Sequence, residues 1–429
     1  MIRLLTVCFV LLLGAVVWLR REPPAVQEAP AEPSMLQKLA DATLKERDVA
    51  WRAFPMLHVR PLNDGLPATG EWRGKPVLRD LNGDGKLDLV TSIRRLDKHT
   101  IADGIRVYLG DGAGHWRQTD KGLAKDMGYG GSDAADLNGD GRPDLIYSGH
   151  DLPPRAFLNF LDYEGQDEWV ALDSLTDLAG ISCSDVALGD YDQDGAPDLA
   201  VMGFFPKTGG LYVLHNDGTG RFEPKQELMP LAQYGAIVRF EDIDGDGRPE
   251  LLAATSLGPM VWRWADGTWT EANAGLPSTA GVGEISGIVR GIDAQDIDGD
   301  GRAELAVSGL PNGSHKAIEL YRREGDRWVI FGNGLPATES VFDVVFARLG
   351  GGVVGMFLAG QHGVLVVRCE RDGTCEVLGR IYGTEGVLNV GAGDVDGDGV
   401  DEVFAMQQNG LGLFAIDIPV TTAKEGSVR

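Results

Sequence analysis

Positive charge is what this chain has least of. It carries 39 Lys and Arg against 64 Asp and Glu, a formal net charge of −25. No basic stripe is left over to meet phosphates, which argues against nucleic acid as a partner. Cysteine is also scarce, with four in 429 residues. Cys8 lies in an apolar N-terminal stretch and Cys183 stands alone. Cys369 and Cys375 flank Glu370-Arg371-Asp372-Gly373-Thr374, which predicts a three-residue hairpin with Gly373 in the left-handed position. That register sets the two cysteines opposite each other, within reach of a disulfide, and a bridge implies an oxidising compartment. Familiar catalytic signatures are missing as well. There is no Gly-x-Ser-x-Gly elbow, no His-Glu-x-x-His and no phosphate-binding glycine loop.

What the chain does have is an aspartate-rich loop that keeps returning between apolar runs. Its clearest copy is Asp242-Ile243-Asp244-Gly245-Asp246-Gly247-Arg248-Pro249-Glu250, with side-chain oxygens at positions 1, 3, 5 and 9 and glycine at 6. A hard cation such as Ca²⁺ requires this of a tight loop: alternate residues point inward, position 7 offers its carbonyl, and glycine allows the sharp turn. The candidate metal ligands are therefore Asp242, Asp244, Asp246 and Glu250 here, and their counterparts in five further copies. These are Asp80, Asn82, Asp84 and Asp88; Asp136, Asn138, Asp140 and Asp144; and Asp190, Asp192, Asp194 and Asp198. The last two are Asp296, Asp298, Asp300 and Glu304, then Asp394, Asp396, Asp398 and Glu402. An EF-hand or dockerin would need Glu at position 12, where this chain has Thr91, Tyr147, Val201, Ala253, Val307 and Ala405. An ordinary hairpin turn needs one Asp and one Gly, not four oxygens in fixed register. These ligands absorb about a third of the 64 acids, and six Ca²⁺ ions would offset about half of the net charge of −25. The acidity thus reads as a metal requirement more than a preference for a partner.

The loops also set a period. Successive copies begin at residues 80, 136, 190, 242 and 296, then at 394 after a double interval. The missing copy is visible as strands over 344–349 and 353–359 joined by Gly350-Gly351-Gly352, with every carboxylate gone. Each unit predicts four strands: one entering the loop, one leaving it, a third such as 211–215, and a fourth opened by an aromatic (Trp116, Phe222, Trp269, Trp328). Four antiparallel strands at a period near fifty is the pattern of a β-propeller blade. The expectation is an all-β, seven-bladed propeller of four-stranded blades over 55–418. The last unit lacks a fourth strand, and residues 56–60 are expected to supply it. They precede Gly65-Leu66-Pro67-Ala68-Thr69, as the fourth strand 328–331 precedes Gly334-Leu335-Pro336-Ala337-Thr338.

Before the propeller, residues 1–21 have the make-up of an export signal, an apolar run over 4–19 between arginines. A cleaved signal peptide and an uncleaved anchor both fit, and the lack of a small-x-small site before Arg20 favours the anchor. A Pro/Ala/Glu-rich linker over 22–33 and a short amphipathic helix over 34–54 follow, and 419–429 form a tail.

These repeats resemble the FG-GAP/VCBS family, which includes the integrin alpha-subunit propeller, and the resemblance covers residues 56 to about 418. It implies that the acidic loop joins the first two strands of a blade and binds Ca²⁺, at up to six sites here. Family members serve as adhesion or scaffold modules, as sugar-binding parts and occasionally as enzymes, so the fold alone does not choose. The expected function is that of an exported, periplasmic or cell-surface, calcium-binding module for a protein or glycan partner, secreted or membrane-tethered and monomeric. The alternative is a secreted polysaccharide-active enzyme of lyase or dehydratase type with its site at the channel mouth. His99, His150, His315 and His362 all follow second strands, on the rim opposite the acidic loops. Solvated loop histidines are the commoner outcome for such a set.

Overall fold

In the computed structural model, the described residues are 51, 53–95, 101–125, 130–149, 152–163, 166–175, 178–203, 209–223, 226–229, 235–278, 289–309, 316–337, 340–381, 383–384, 386–407 and 410–416. The expected export segment, linker, most of the helix over 34–54, the tail, His99, His150 and His315 lie outside them. Among the described residues, no helix is long and apolar enough to cross a membrane.

Seven four-stranded antiparallel sheets make up the propeller. Their inner strands are Glu71–Arg79, Ser132–Ala135, Cys183–Gly189, Gly235–Glu241, Val289–Gln295, Asp343–Arg348 and Asn389–Gly393, in blades 1 to 7. Each inner strand packs against those of the blades on either side, and blade 7 returns to blade 1, so the ring closes. The second strands, such as Asp198–Gly203 and Glu250–Thr255, are buried along their whole length because both faces of a blade meet neighbouring blades. One apolar cluster fills each of the seven interfaces. The interface of blades 1 and 2, for instance, joins Val90, Ile105 and Val107 to Leu145, Tyr147 and Phe157. Each such large side chain contributes about 1.5–3 kcal/mol on burial.

Ring closure follows the sequence expectation, shifted along the chain. Residues Val59–Pro61 form the outer strand of blade 7, pairing Val59 with Ile416, Arg60 with Ala415 and Pro61 with Phe414. Met56 is not part of that strand; it bridges Arg380 on the outer edge of blade 6. Proline suits the end of this edge strand, where no donor is required of it.

The repeated Gly-Leu turns now have a physical reason. Gly65, Gly122, Gly275 and Gly334 all have positive φ, and a Cβ on any of them would lie about 2 Å from a carbonyl oxygen of the next blade's outer strand. Chain and neighbour approach that closely because Trp116, Trp169, Trp328 and Cys375 each donate an amide hydrogen to the turn, at 2.7–2.8 Å. The outer-strand tryptophans add a second tie. Nε1–H of Trp116, Trp169 and Trp328 donates to Leu62, Thr119 and Ala272, respectively, in the preceding outer strand or turn. Phe222 departs from the expected role: it bridges Asn216, and the outer strand of blade 3 starts later, at Gln226.

The expected hairpin at 370–374 is present. Cys369 lies opposite Cys375 in the ladder, Gly373 takes a φ of 82°, and the two sulfurs are bonded.

Candidate metal loops and the axial channel

All six acidic loops join an inner strand to a second strand, so the common blade topology places them on one rim. Neighbouring loops touch there: Arg248 of blade 4 donates to Gln193 of blade 3 at 3.3 Å.

Each carboxylate has a fixed task in shaping its loop. The position 1 aspartate gathers backbone amides from the turn. Asp80, for example, accepts from Gly83, Asp84 and Gly85 at 2.7–3.2 Å. The position 5 aspartate accepts the amide of position 7 in all six loops, as from Lys86 to Asp84 and from Val400 to Asp398. Glycine at position 6 has a φ of 81–92° in every copy. A Cβ there would meet open space in five of the six, so backbone conformation and not crowding calls for glycine.

The position 9 acid is buried in every copy (Asp88, Asp144, Asp198, Glu250, Glu304 and Glu402), none more than 3% exposed. It accepts the amide of position 2, as from Leu81 to Asp88 at 2.8 Å and from Val395 to Glu402 at 2.7 Å. In blades 1 to 3 it also accepts an amide from the third strand or just beyond it (Gly110, Asn159, Asn216). Burial raises its pKa in all six, to about 6 for Asp88 and about 7 for Asp144, Glu304 and Glu402. Repulsion from the other acids of the loop adds to the effect. Burial disfavours the charged form in each, even where Arg263 lies beside Glu250 or His215 beside Asp198.

The loops bring several of the expected ligands together. Asp190, Asp192 and Asp194; Asp242, Asp244 and Asp246; Asp296, Asp298 and Asp300; and Asp394, Asp396 and Glu402 each place ligand atoms within 4.8 Å of one another. In blades 1 and 2, where Asn82 and Asn138 stand at position 3, no such carboxylate trio forms among the described residues. Asp244 Oδ1 and Asp394 Oδ1 are buried without a hydrogen-bond partner. An all-oxygen donor set with orphaned carboxylate oxygens fits a hard divalent cation. The clusters can therefore hold a metal ion.

Two third-strand neighbours of position 9 enter their loops, and the sequence reading missed both. Arg263 contacts Asp244 through Nη2 and reaches Glu250 Oε1 from Nε at 2.8 Å. A guanidinium thus stands among the acids of blade 4. In blade 3, His215 Nδ1 lies 3.0 Å from Asp198 Oδ1 and 3.5 Å from Asp192 Oδ2.

Blade 6, whose loop carries no acid, solves the problem differently. Gly189 pairs with Asp198, nine positions on, whereas Arg348 pairs with Val354, six positions on, so the blade 6 loop is shorter. Arg348 then reaches into the next blade, holding Asp401 Oδ1 at 2.6 Å and approaching Asp394 Oδ2 at 3.6 Å.

A second set of acids, also missed from sequence, rings the axis. Asp133, Asp185, Asp293 and Asp343 lie on inner strands and accept amides of later blades, from Leu188, Val238, Phe346 and Val390 at 2.7–3.1 Å. Arg239 pairs with Asp293 at 3.0 Å. Burial pushes all four aspartates up, Asp343 to about 7, and Glu241 beside them to about 7. Asp133, Asp185, Arg239, Glu241 and Arg79 border a cavity of about 220 Å³. Of the four histidines expected on the opposite rim, only His362 falls among the described residues, in the turn between second and third strands of blade 6.

Acidic hairpins repeated around a seven-bladed ring are the architecture of a β-propeller built on FG-GAP-like repeats. The repeat family described as FG-GAP-like matches residues 80–147, 190–253 and 242–307. Human integrin alpha-7 is 32% identical over 145 residues, which cover 30% of this chain and 12% of that protein. The chain thus spans only a small part of this relative's length. A solved structure of an Agrocybe aegerita lectin, described as recognising non-reducing terminal N-acetylglucosamine, superposes with a TM-score of 0.50. It is 16% identical and covers 80% of this chain and 87% of its own, a likeness of fold.

Proposed function

We propose that this protein is an extracytoplasmic, calcium-dependent β-propeller that serves as a binding or scaffold module for a protein or glycan partner. The observation that carries the reading is the distribution of its acids. They are dealt out one loop to each of six blades along a single rim, and each loop's innermost carboxylate is buried between strands. A cation seated there ties the two strands of its own blade, which is a structural task. Ca²⁺ matches the donor set, with the position 1, 3, 5 and 9 side chains and the position 7 carbonyl as its ligands. When bound, it would supply positive charge beside the buried position 9 acids. The four axial aspartates are already engaged with backbone amides and, for Asp293, Arg239. That arrangement favours a structural over a catalytic role for them. The bonded Cys369–Cys375 pair supports an oxidising compartment. The partner would then be held on the rim away from the acidic loops.

The test is capture by the immobilised full chain, from native membranes and on a glycan array, in Ca²⁺ and in chelator, followed by product analysis of anything retained. Retention of a defined partner in Ca²⁺ without turnover is expected. Release of cleaved glycan would replace binding with catalysis, and equal capture in chelator would remove calcium from the account.

A further inference from the structure

Among the six loops, that of blade 3 has a donor the others lack. The second and third strands of that blade pair Leu199 with Leu214. The next residues outward are Asp198, at position 9, and His215, so the imidazole hangs over the loop. Nδ1 stands 3.0 Å from Asp198 Oδ1 and 3.5 Å from Asp192 Oδ2, and the three groups offer ligand atoms within 4.8 Å of one another. Two ligands bound at the usual zinc distances of about 2.0–2.2 Å in tetrahedral array lie roughly 3.3–3.5 Å apart. The 3.5 Å separation from Asp192 matches that, and the 3.0 Å contact with Asp198 is a hydrogen bond. The other ring nitrogen, Nε2, faces Asp194 Oδ2 at 3.6 Å. A carboxylate behind the second imidazole nitrogen is the arrangement that orients metal-bound histidines.

The corresponding residue in other blades has different chemistry. Leu109 and Leu158 follow from the pairings of Leu89 with Tyr108 and of Leu145 with Phe157, and neither can ligate. Arg263 in blade 4 is itself a cation. Arg322 in blade 5 turns away to Glu324 and to the face of Phe331.

We infer that the blade 3 loop is a mixed nitrogen–oxygen seat for a borderline divalent cation of the Zn²⁺ type, with His215, Asp192 and Asp198 as ligands and Asp194 orienting the imidazole. Imidazole favours such ions over Ca²⁺, which prefers oxygen alone. This rests on the reading of the acidic loops as cation seats, and distinguishes one seat from the rest.

The test uses the full chain, stripped by chelator, titrated calorimetrically with Zn²⁺ alone and with Ca²⁺ alone, then with Zn²⁺ in excess Ca²⁺. Two variants accompany it. His215→Gln removes the nitrogen donor. His215→Arg keeps a positive charge over the loop, as Arg263 does in blade 4, and guards against a variant that merely fails to fold. The expected result is one equivalent of Zn²⁺ that excess Ca²⁺ does not displace, lost or weakened by roughly tenfold or more in both variants. Their Ca²⁺ uptake by other loops should be unchanged. X-ray absorption of the Zn²⁺-loaded chain should show one imidazole nitrogen among oxygen neighbours. Unchanged Zn²⁺ affinity in His215→Arg, displacement by Ca²⁺, or an oxygen-only shell would overturn the inference while leaving the calcium reading intact. Failure of Ca²⁺ to bind any loop would instead bring down the reading it rests on.

Discussion

Strip the divalent cations and raise the pH, and the propeller should weaken. The buried position 9 acids have folded-state pKa values above their unfolded ones, Asp144 rising from 3.8 to about 7 and Glu304 and Glu402 from 4.5 to about 7. Well below pH 4 they are protonated in both states and cost nothing. As pH rises towards 7, the unfolded chain ionises freely while the folded one must ionise inside the protein, so stability is lost across that window. At about 1.4 kcal/mol per pKa unit, Asp144 alone accounts for up to about 4 kcal/mol. With an unfolding entropy near 2 cal/mol/K per residue, a propeller of this length loses roughly 5 °C in Tm for each such loop. Asp343 and Glu241 in the channel push in the same direction without being candidate ligands. The diagnostic quantity is therefore the Ca²⁺ increment. Calorimetric melts between about pH 4.5 and 8, with Ca²⁺ or chelator, should show that increment small at the acid end and growing steadily upward. A chelated protein whose Tm is flat over this range, or an increment independent of pH, would refute the reasoning.

Two further perturbations bear on parts of the same framework. Arg263→Ala removes the guanidinium from Asp244 and Glu250, and should cost about 1.5–3 kcal/mol in chelator. Calorimetry should show much of that loss restored by Ca²⁺, because the vacated loop becomes a stronger cation seat; an unaltered calcium response would count against Arg263 as a built-in counter-ion. Asp293→Ala strands the buried Arg239 guanidinium and the Phe346 amide together. The cost should be about 3–5 kcal/mol with or without Ca²⁺, and a melt within a degree of wild type would show that the axial pair is dispensable.

Much of the ring was legible because the acidic loop keeps its internal spacing while its surroundings vary. Position 6 requires a left-handed backbone, position 9 must reach back to the amide of position 2, and few residues satisfy either. The echo between Gly65-Leu66-Pro67 and Gly334-Leu335-Pro336 exposed the closing strand for a comparable reason: a Cβ at either glycine would strike the next blade. The residues that enter the loops were not legible in the same way. His215 lies 17 positions after Asp198 and Arg263 only 13 after Glu250, because the hairpin between second and third strands differs in length. The strand register decides which residue faces position 9, and hairpins of unequal length conceal it. The axial aspartates were hidden by number, four single residues on four inner strands among 64 acids. Arg348 was invisible because its partner Asp401 lies in another blade, 53 positions away.

One consequence follows from the pairing of Val59–Pro61 with residues 414–416. The earliest and the latest parts of the ring share a sheet, so the circle has a clasp. During synthesis it cannot snap shut until the final blade has emerged, and folding must wait on that most distant of contacts. Once fastened, the clasp works in reverse: no blade can peel from the circle at an end, because the first and last strands of the ring are paired with each other.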